Sequence, residues 1–276
     1  MILTDRFVFM HVPKTGGTFV TRVLRELLTP NLWDWRIHAV GRRYGVYFPG
    51  YPYKYREIRQ HAMRKHIPAR FSELPIASCV RNPYDIYVSG YTFNWWRENP
   101  ERWFVDPNAV VSEFGPLENF DFPAYVRATI KHSHWSNTCR KNYPNLPPMS
   151  YCSTEFLHYH VIRPKEVVAD ATRVEDFVPR AQESMQGVNF LLTHRLNQDL
   201  HAFLEHQGFP TEKIDPILTK GKIHPGKPRR KEDDHWSNHY DEELRALLRE
   251  SEPLLFAFFP EFDEIPTPTP VGETTS

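Results

Sequence analysis

Cysteine, excess charge and long apolar runs are scarce in this sequence. Its 276 residues include only 3 cysteines, too few for a disulfide scaffold. Lysine plus arginine equals aspartate plus glutamate at 34 each, so the surface as a whole is not built to bind nucleic acid or an anionic membrane. No apolar run approaches the roughly 18–20 residues of a membrane-spanning helix. No basic segment typical of a signal peptide precedes the first predicted strand, and we therefore expect a cytoplasmic protein.

The length of the chain suits one medium α/β domain with a sizeable core. We predict that this domain covers residues 1–264 and that the Pro- and Thr-rich tail 265–276 is disordered. Hydrophobic patterns predict the following elements. They are strands over 7–12, 76–80 and 167–174, and helices over 18–28, around 55–66, and over 83–97, 178–187, 194–207 and 240–258.

The most informative segment joins an apolar strand to a loop with two glycines. Phe7–Val12 is rich in β-formers, Pro13–Thr18 reads P-K-T-G-G-T, and a helical pattern follows directly. Glycines let the backbone curl so that several N–H groups point at one anion, and the start of the helix adds partial positive charge. Lys14 adds a full charge. We therefore predict that residues 13–18 hold a phosphate or a sulfate group.

This loop differs from the phosphate loop of nucleoside-triphosphate enzymes. That motif reads G-x-x-x-x-G-K-[ST], with lysine after the last glycine, whereas Lys14 precedes both glycines. The sequence also has no convincing apolar strand that ends in an aspartate for Mg²⁺. These differences favour transfer of a group that needs no metal. A kinase or nucleotide hydrolase stays open as an alternative, as does a nucleotide- or glycan-binding module without activity.

A second segment carries another pair of anion ligands. Ile76–Val80 reads as a buried strand, and Arg81 stands at its carboxyl end. Asn82 and Pro83 signal a turn into a helix, on which Ser89 follows Arg81 by eight residues. An arginine and a hydroxyl at the carboxyl end of a parallel strand are good phosphate ligands, and both can face one ligand here.

Together the two segments resemble the sulfotransferase family, in particular its carbohydrate-sulfotransferase branch and the bacterial members. The first segment matches the family motif P-K-T-G-[GST]-T, and the second matches R-[ND]-P-x-[DE]-x-x-x-S-x-Y. Similar segments at Arg173–Phe177, Leu196–Leu200 and Tyr240–Phe262 extend the resemblance from about residue 6 to about residue 262.

The resemblance implies a three-layer, P-loop-like α/β fold with a central parallel sheet and helices on both faces. It implies transfer of a sulfuryl group from 3′-phosphoadenosine 5′-phosphosulfate (PAPS) to a hydroxyl or amine of a small-molecule or carbohydrate acceptor. The product is 3′-phosphoadenosine 5′-phosphate (PAP), and no metal is expected. Lys14 would stabilise the leaving group. The expected nucleotide ligands are the backbone of Thr15, Gly16, Gly17 and Thr18 for the 5′-phosphate, and Arg81 and Ser89 for the 3′-phosphate.

The catalytic base is expected between the two motifs, because that is where family members often carry it. The histidines there are His38, His61 and His66. We place His61 first, because it opens an H-x-x-x-x-x-[IL]-P stretch similar to that of bacterial members, and because an imidazole titrates near neutral pH. A carboxylate, His132 and His134 stay open as alternatives.

Three further patterns have competing interpretations. The basic segment 220–231 stands where sulfotransferases close a loop over the 3′-phosphate, with Lys227, Arg229 and Arg230 as ligands, but it also reads as a solvated charge run. His132 and His134 lack a third ligand at a recognisable spacing, so we predict no metal site. The aromatic residues between 91 and 104 fit helix and lid packing better than an acceptor wall. The sequence identifies neither the acceptor nor the oligomeric state.

Overall fold

A five-stranded sheet forms the centre of the part of the chain that the structure describes. The structure is a computed structural model, and it describes residues 1–28, 55–146, 148–221 and 235–264. The strands are β1 (Ile2–Thr4), β2 (Val8–Met10), β3 (Tyr55–Glu57), β4 (Ile76–Val80) and β5 (Val188–Leu192). Their order is β3-β1-β2-β4-β5. The neighbours β2, β4 and β5 are parallel, whereas β1 pairs antiparallel with both β2 and β3.

Helices account for most of the remaining described residues. The α-helices are α1 (Gly17–Leu28), α2 (Pro83–Phe93), α3 (Trp95–Glu98), α4 (Pro100–Trp103), α5 (Pro107–Phe114), α6 (Phe122–His132), α7 (His134–Asn142), α8 (Tyr151–His160), α9 (Pro164–Val167), α10 (Val178–Ser184), α11 (Leu196–His206), α12 (Thr211–Ile214), α13 (Glu242–Ser251) and α14 (Pro253–Phe258). Short 3₁₀ turns join them, for example Arg64–His66 and Val174–Asp176. Over the described ranges, no helix combines the length and the apolar character that crossing a bilayer requires.

The two faces of the sheet are covered by different sets of helices. Alternate residues of a strand point to opposite faces. Phe9, Cys79 and Leu191 pack on one face with the apolar sides of α1 and α11. On the other face Met10 packs against α8, and Val80 joins the large core that α2, α8 and α14 share. This three-layer arrangement confirms the predicted α/β fold, with β2, β4 and β5 as its parallel centre and two antiparallel strands added at one edge.

Two predicted elements were wrong, although β4 has the predicted bounds. The stretch around 55–66 is not a helix but contains β3 and a 3₁₀ turn. The stretch 167–174 is not a strand: helix α9 ends at Val167, turns follow it, and a 3₁₀ turn begins at Val174. Proline presets the backbone of a first helical turn, and this local effect outweighs the β-preference of two successive valines. The third parallel strand is β5, which follows about twenty residues later in the chain.

A buried carboxylate joins three of the helices that support the sheet. Glu252, at the end of α13, is fully buried and accepts hydrogen bonds from the Tyr87 hydroxyl (2.7 Å) and from the backbone N–H groups of Cys152 (3.0 Å) and Ser153 (2.6 Å). The two N–H groups belong to the first turn of α8, where helix geometry leaves donors without partners. Glu252 therefore caps α8 from a distant part of the chain. Burial raises the pKa of this carboxyl to about 7.

We predict that Glu252→Ala lowers the free energy of unfolding by about 3 kcal/mol or more, because it leaves two buried N–H groups without a partner and removes one hydrogen bond of the buried Tyr87 hydroxyl. Urea denaturation followed by circular dichroism measures the change. The deficit should shrink as the pH rises through about 7. A folded-state pKa above the ordinary value of 4.5 makes the contribution of this carboxyl greatest at low pH and weaker at high pH.

Glu250→Ala is the matched control, because Glu250 lies in the same helix but is exposed. Its effect should stay within about 0.5 kcal/mol. Equal effects of the two substitutions would contradict the capping role of Glu252.

Candidate functional site

The loop between β2 and α1, residues 11–16, is called the phosphate loop below, and its backbone is left-handed at two positions. Lys14 has a φ angle of 60° and Gly16 one of 87°, both in the left-handed region. That region is unfavourable for a residue with a side chain, so the Lys14 conformation has to be held by its surroundings. At Gly16 a Cβ atom would also approach Leu196 Cδ2 to 2.9 Å, and one on Gly17 would clash with the His11 ring. Gly16 is therefore required by the turn, and Gly17 by its close packing on His11.

The carbonyl oxygens of this loop are bonded to the protein itself. His11 O accepts from His61 Nδ1 (3.1 Å), Val12 O from Thr15 Oγ1 (2.9 Å), Lys14 O from Arg81 Nη1 (3.1 Å), Thr15 O from Thr193 Oγ1 (2.8 Å) and Gly16 O from the Phe19 N–H (2.9 Å). In a planar trans peptide the N–H points away from the C=O. The N–H groups of Thr15, Gly16 and Gly17 consequently face away from those partners, at the positive end of α1. The loop can therefore hold an anion through its backbone.

The residues that follow β4 attach the second motif to this loop. Arg81 places Nε 2.6 Å from Asp85 Oδ2 and donates from Nη1 to the Lys14 carbonyl. Asn82 caps α2 by accepting from the Tyr84 N–H (3.0 Å), and its amide donates to the Phe262 carbonyl (2.8 Å). The turn that carries Arg81 is thus fixed at both ends, and its guanidinium bridges α2 and the phosphate loop.

One side of α2 faces the phosphate loop. Residues 85, 89 and 93 of α2 are four apart, which places them along one stripe, and Arg81, which precedes the helix, pairs with Asp85. Arg81 and Asp85 form one end of the stripe. At the other end the Lys14 ammonium lies over the Phe93 ring, with Nζ 3.1 Å from the ring centroid. The half-buried Ser89 stands between these contacts. The tertiary structure thus brings Lys14, Arg81 and Ser89 to one region, and their roles stay predictions.

His61 lies beside the start of the loop. Its side chain is exposed, Nδ1 hydrogen-bonds the His11 carbonyl, and its ring meets the His11 ring edge-on at 4.9 Å between centroids. A carbonyl oxygen only accepts, so Nδ1 carries the proton and Nε2 of the neutral ring keeps its lone pair. Arg64 anchors the segment by donating to the carbonyl oxygens of His160, Ser184 and Gln186. The geometry therefore presents an oriented imidazole with a basic nitrogen.

His11 is a site residue that the sequence did not single out. It is buried, and its Nδ1 lies 3.2 Å from Thr21 Oγ1. Burial, followed by the nearby His61, lowers the pKa of His11 to about 3, so the ring is neutral under ordinary conditions. It fills the space beneath Gly17 and supports the start of α1. The signal that the sequence offered was a histidine at the end of an apolar strand.

The other histidine candidates have partners elsewhere. His66 Nδ1 accepts from the Met63 N–H (3.0 Å) and closes its own turn. His132 Nε2 lies 3.0 Å from Glu113 Oε2, whereas His134 Nε2 hydrogen-bonds the Glu101 carbonyl (3.1 Å). These contacts separate His132 from His134.

Four of the predicted site residues lie outside the described ranges. They are His38, Lys227, Arg229 and Arg230. Within the described ranges, no three or more His, Cys, Asp or Glu side chains are grouped closely enough to hold a metal ion.

The aromatic residues after the second motif mostly pack in the interior. Trp96 and Phe104 are almost completely buried, and Tyr91 stacks on Trp96 with 6.2 Å between ring centroids. Trp95 meets Trp103 edge-on. Packing is therefore the main role of this group, with Phe93 and its contact to Lys14 as the exception.

Thr193 is a second residue that the sequence did not single out. It directly follows β5, and its hydroxyl lies 2.8 Å from the Thr15 carbonyl and 2.9 Å from the Val80 carbonyl. One side chain thus ties the phosphate loop to the end of β4, immediately before Arg81. A hydroxyl residue directly after an apolar strand was the available signal.

We predict that Thr193→Val, which keeps the shape but removes the donor, lowers the free energy of unfolding by about 1–2 kcal/mol. Thr193→Ser keeps the hydroxyl and should lose clearly less. Urea denaturation of both variants measures the difference. A larger loss in Thr193→Ser than in Thr193→Val would mean that the methyl group of Thr193, and not its hydroxyl, holds the loop.

Comparison with known proteins identifies the family of the chain. None of the curated proteins compared with the chain matches it. Among solved structures, the crystal structure of mouse sulfotransferase SULT7A1 complexed with PAP is similar, with 13% identity, a TM-score of 0.45, and coverage of 92% of this chain and 84% of that chain. So distant a likeness adds no weight to the assignment. A family model described as the sulfotransferase family matches residues 2–251, and the chain therefore belongs to the sulfotransferase family, whose members transfer sulfuryl groups.

Proposed function

We propose that the protein transfers the sulfuryl group of PAPS to a hydroxyl or amine of a small-molecule or carbohydrate acceptor. The observation that carries the proposal is the bond from Arg81 to the Lys14 carbonyl, which makes one site of the two nucleotide motifs. A site with two separate anion positions suits a nucleotide with phosphates at both 3′ and 5′. Membership of the sulfotransferase family supports the same reaction.

The two ends of the nucleotide have separate ligands in this proposal. The backbone N–H groups of residues 15–18 bind the 5′-phosphate at the start of α1, where partial charges favour an anion. Arg81 and Ser89 bind the 3′-phosphate from the stripe on α2. Lys227, Arg229 and Arg230 of the basic segment are further ligands of the same phosphate in this proposal, because charge-assisted hydrogen bonds from arginine suit a phosphate group.

The chemical step is an in-line displacement at sulfur. The acceptor oxygen or nitrogen forms a bond to sulfur while the bond from sulfur to the bridging phosphate oxygen breaks. Negative charge grows on that oxygen, and the Lys14 ammonium stabilises it. The acceptor proton passes to Nε2 of His61. That nitrogen keeps a free lone pair because the ring proton is on Nδ1, which donates to the His11 carbonyl. The products are the sulfated acceptor, PAP and a protonated His61.

We predict that calorimetric titration gives micromolar or tighter binding of PAP and much weaker binding of ADP, because only PAP has the 3′-phosphate. Ser89→Ala should weaken PAP binding by about 5- to 10-fold, which is the loss expected for one hydrogen bond to a charged group. It should leave ADP binding unchanged. Thr92→Ala, an exposed hydroxyl on the same helix, is the matched control.

Tighter binding of ATP with Mg²⁺ than of PAP would overturn this proposal and favour a kinase or a nucleotide hydrolase. Tight PAP binding without transfer to any acceptor would favour a binding module.

We predict that Lys14→Ala and His61→Ala affect different steps. PAP formation from PAPS, measured over a panel of phenols, sugars and amines, should fall about 100-fold or more in both variants. PAP affinity should weaken only in Lys14→Ala, because His61 acts on the acceptor. His206→Ala, an exposed histidine at the end of α11, is the control. Full activity of Lys14→Ala would sink the mechanism, whereas full activity of His61→Ala would place the base elsewhere.

A further inference from the structure

The contact between Lys14 and Phe93 gives an aromatic ring a defined place in the site. The Lys14 Nζ lies 3.1 Å from the centroid of the Phe93 ring. We propose that Phe93 is a positioning residue, the ring of which holds the Lys14 ammonium at the phosphate loop in both the free and the nucleotide-bound protein. The inference rests on the proposed function, because it concerns the same nucleotide site.

An aromatic ring suits this task better than a carboxylate. The face of the ring attracts an ammonium through its quadrupole and leaves the full positive charge in place. A carboxylate would pair with the ammonium and compete with the incoming phosphate. Asp85, the acid on the same side of α2, is engaged by Arg81 at 2.6 Å. On this side of α2, Arg81 therefore contacts a carboxylate and Lys14 contacts an aromatic ring.

The position of Phe93 at the end of α2 strengthens the contact. The helix ends at Phe93, and the next residue, Asn94, turns the chain with a left-handed φ of 59°. The N–H group of Asn94 donates to the carbonyl oxygens of Gly90 and Tyr91. The carboxyl end of a helix carries partial negative charge, which also attracts a cation. Because Phe93 is the last residue of α2, its ring also brings the Lys14 ammonium toward this end of the helix.

The backbone of Lys14 is fixed together with its side chain. Its φ of 60° is held while Arg81 binds its carbonyl oxygen, and Phe93 holds the far end of the side chain. A lysine stem is flexible and loses rotamer freedom whenever its ammonium is held in one place. Since Phe93 restricts the stem before nucleotide arrives, less of that loss accompanies binding.

A double-mutant cycle tests the inference with PAP as the probe. Calorimetry is run on the wild type, Phe93→Met, Lys14→Ala and the double variant. Methionine keeps the apolar volume but has no ring, so Phe93→Met should weaken PAP binding by about 5- to 30-fold. In the Lys14→Ala background the same change should have no further effect. Phe93→Tyr should restore affinity to within about twofold of the wild type.

A second measurement detects the contact without nucleotide. Ring current should shift the ε-methylene protons of Lys14 upfield, with the signal assigned by its loss in Lys14→Ala. The shift should persist in Phe93→Tyr and disappear in Phe93→Met. Phe114→Met, at a half-buried ring that packs on Phe120, is the control and should alter neither the shift nor PAP affinity.

Several results would overturn the inference. They are an ordinary chemical shift for Lys14 in the wild type, equal effects of methionine and tyrosine at position 93, the same loss of affinity in the Lys14→Ala background, and tighter PAP binding by Phe93→Met. The last result would mean that the ring competes with the nucleotide. Failure of the wild type to bind PAP would instead overturn the proposed function, and the chemical shift would then decide the Lys14–Phe93 contact by itself.

Discussion

The site depends on the way in which the protein occupies the carbonyl oxygens of its phosphate loop. Side chains from the ends of two neighbouring parallel strands, Arg81 after β4 and Thr193 after β5, bind the carbonyls of Lys14 and Thr15. Each bond turns the N–H of the same peptide unit the other way, where an anion can meet it. Parallel strands make this possible because their carboxyl ends meet at one edge of the sheet. These bonds help to hold the left-handed backbone at Lys14.

The strain in the loop is balanced by rigid structure around it. The neutral His11 ring supports the start of α1 from below, and the same residue offers its carbonyl to His61. On the far face of the sheet, Glu252 joins α2, α8 and α13 through buried hydrogen bonds and keeps the helix that carries Phe93 in place. Such a buried carboxyl is costly to remove, since its loss leaves the two N–H groups of α8 unpaired. Binding groups on such a framework need little rearrangement to meet a ligand.

Much of the fold and half of the site could be predicted from local patterns. The bounds of β4 and the start of α1 followed from an apolar run and from glycines, since both signals lie within a few residues of the element. The strand expected at 167–174 was wrong because propensity cannot say which apolar run joins the sheet. His11 and Thr193 were not singled out, and Phe93 was assigned to packing with its aromatic neighbours, for a related reason. Each acts through a partner that only the folded chain brings near.

The sequence by itself determined the family, because its motifs set a lysine, two glycines and an arginine at fixed spacings that backbone geometry can use directly. Helical periodicity also places Ser89 on the side of α2 that carries Asp85, the partner of Arg81. Only the tertiary structure decided that these groups form one site. The Arg81 bond to the Lys14 carbonyl spans 67 residues of chain, and the Thr193 bond to the Thr15 carbonyl spans 178. Contacts at such separations follow from the order of strands in the sheet, which no local pattern of residues encodes.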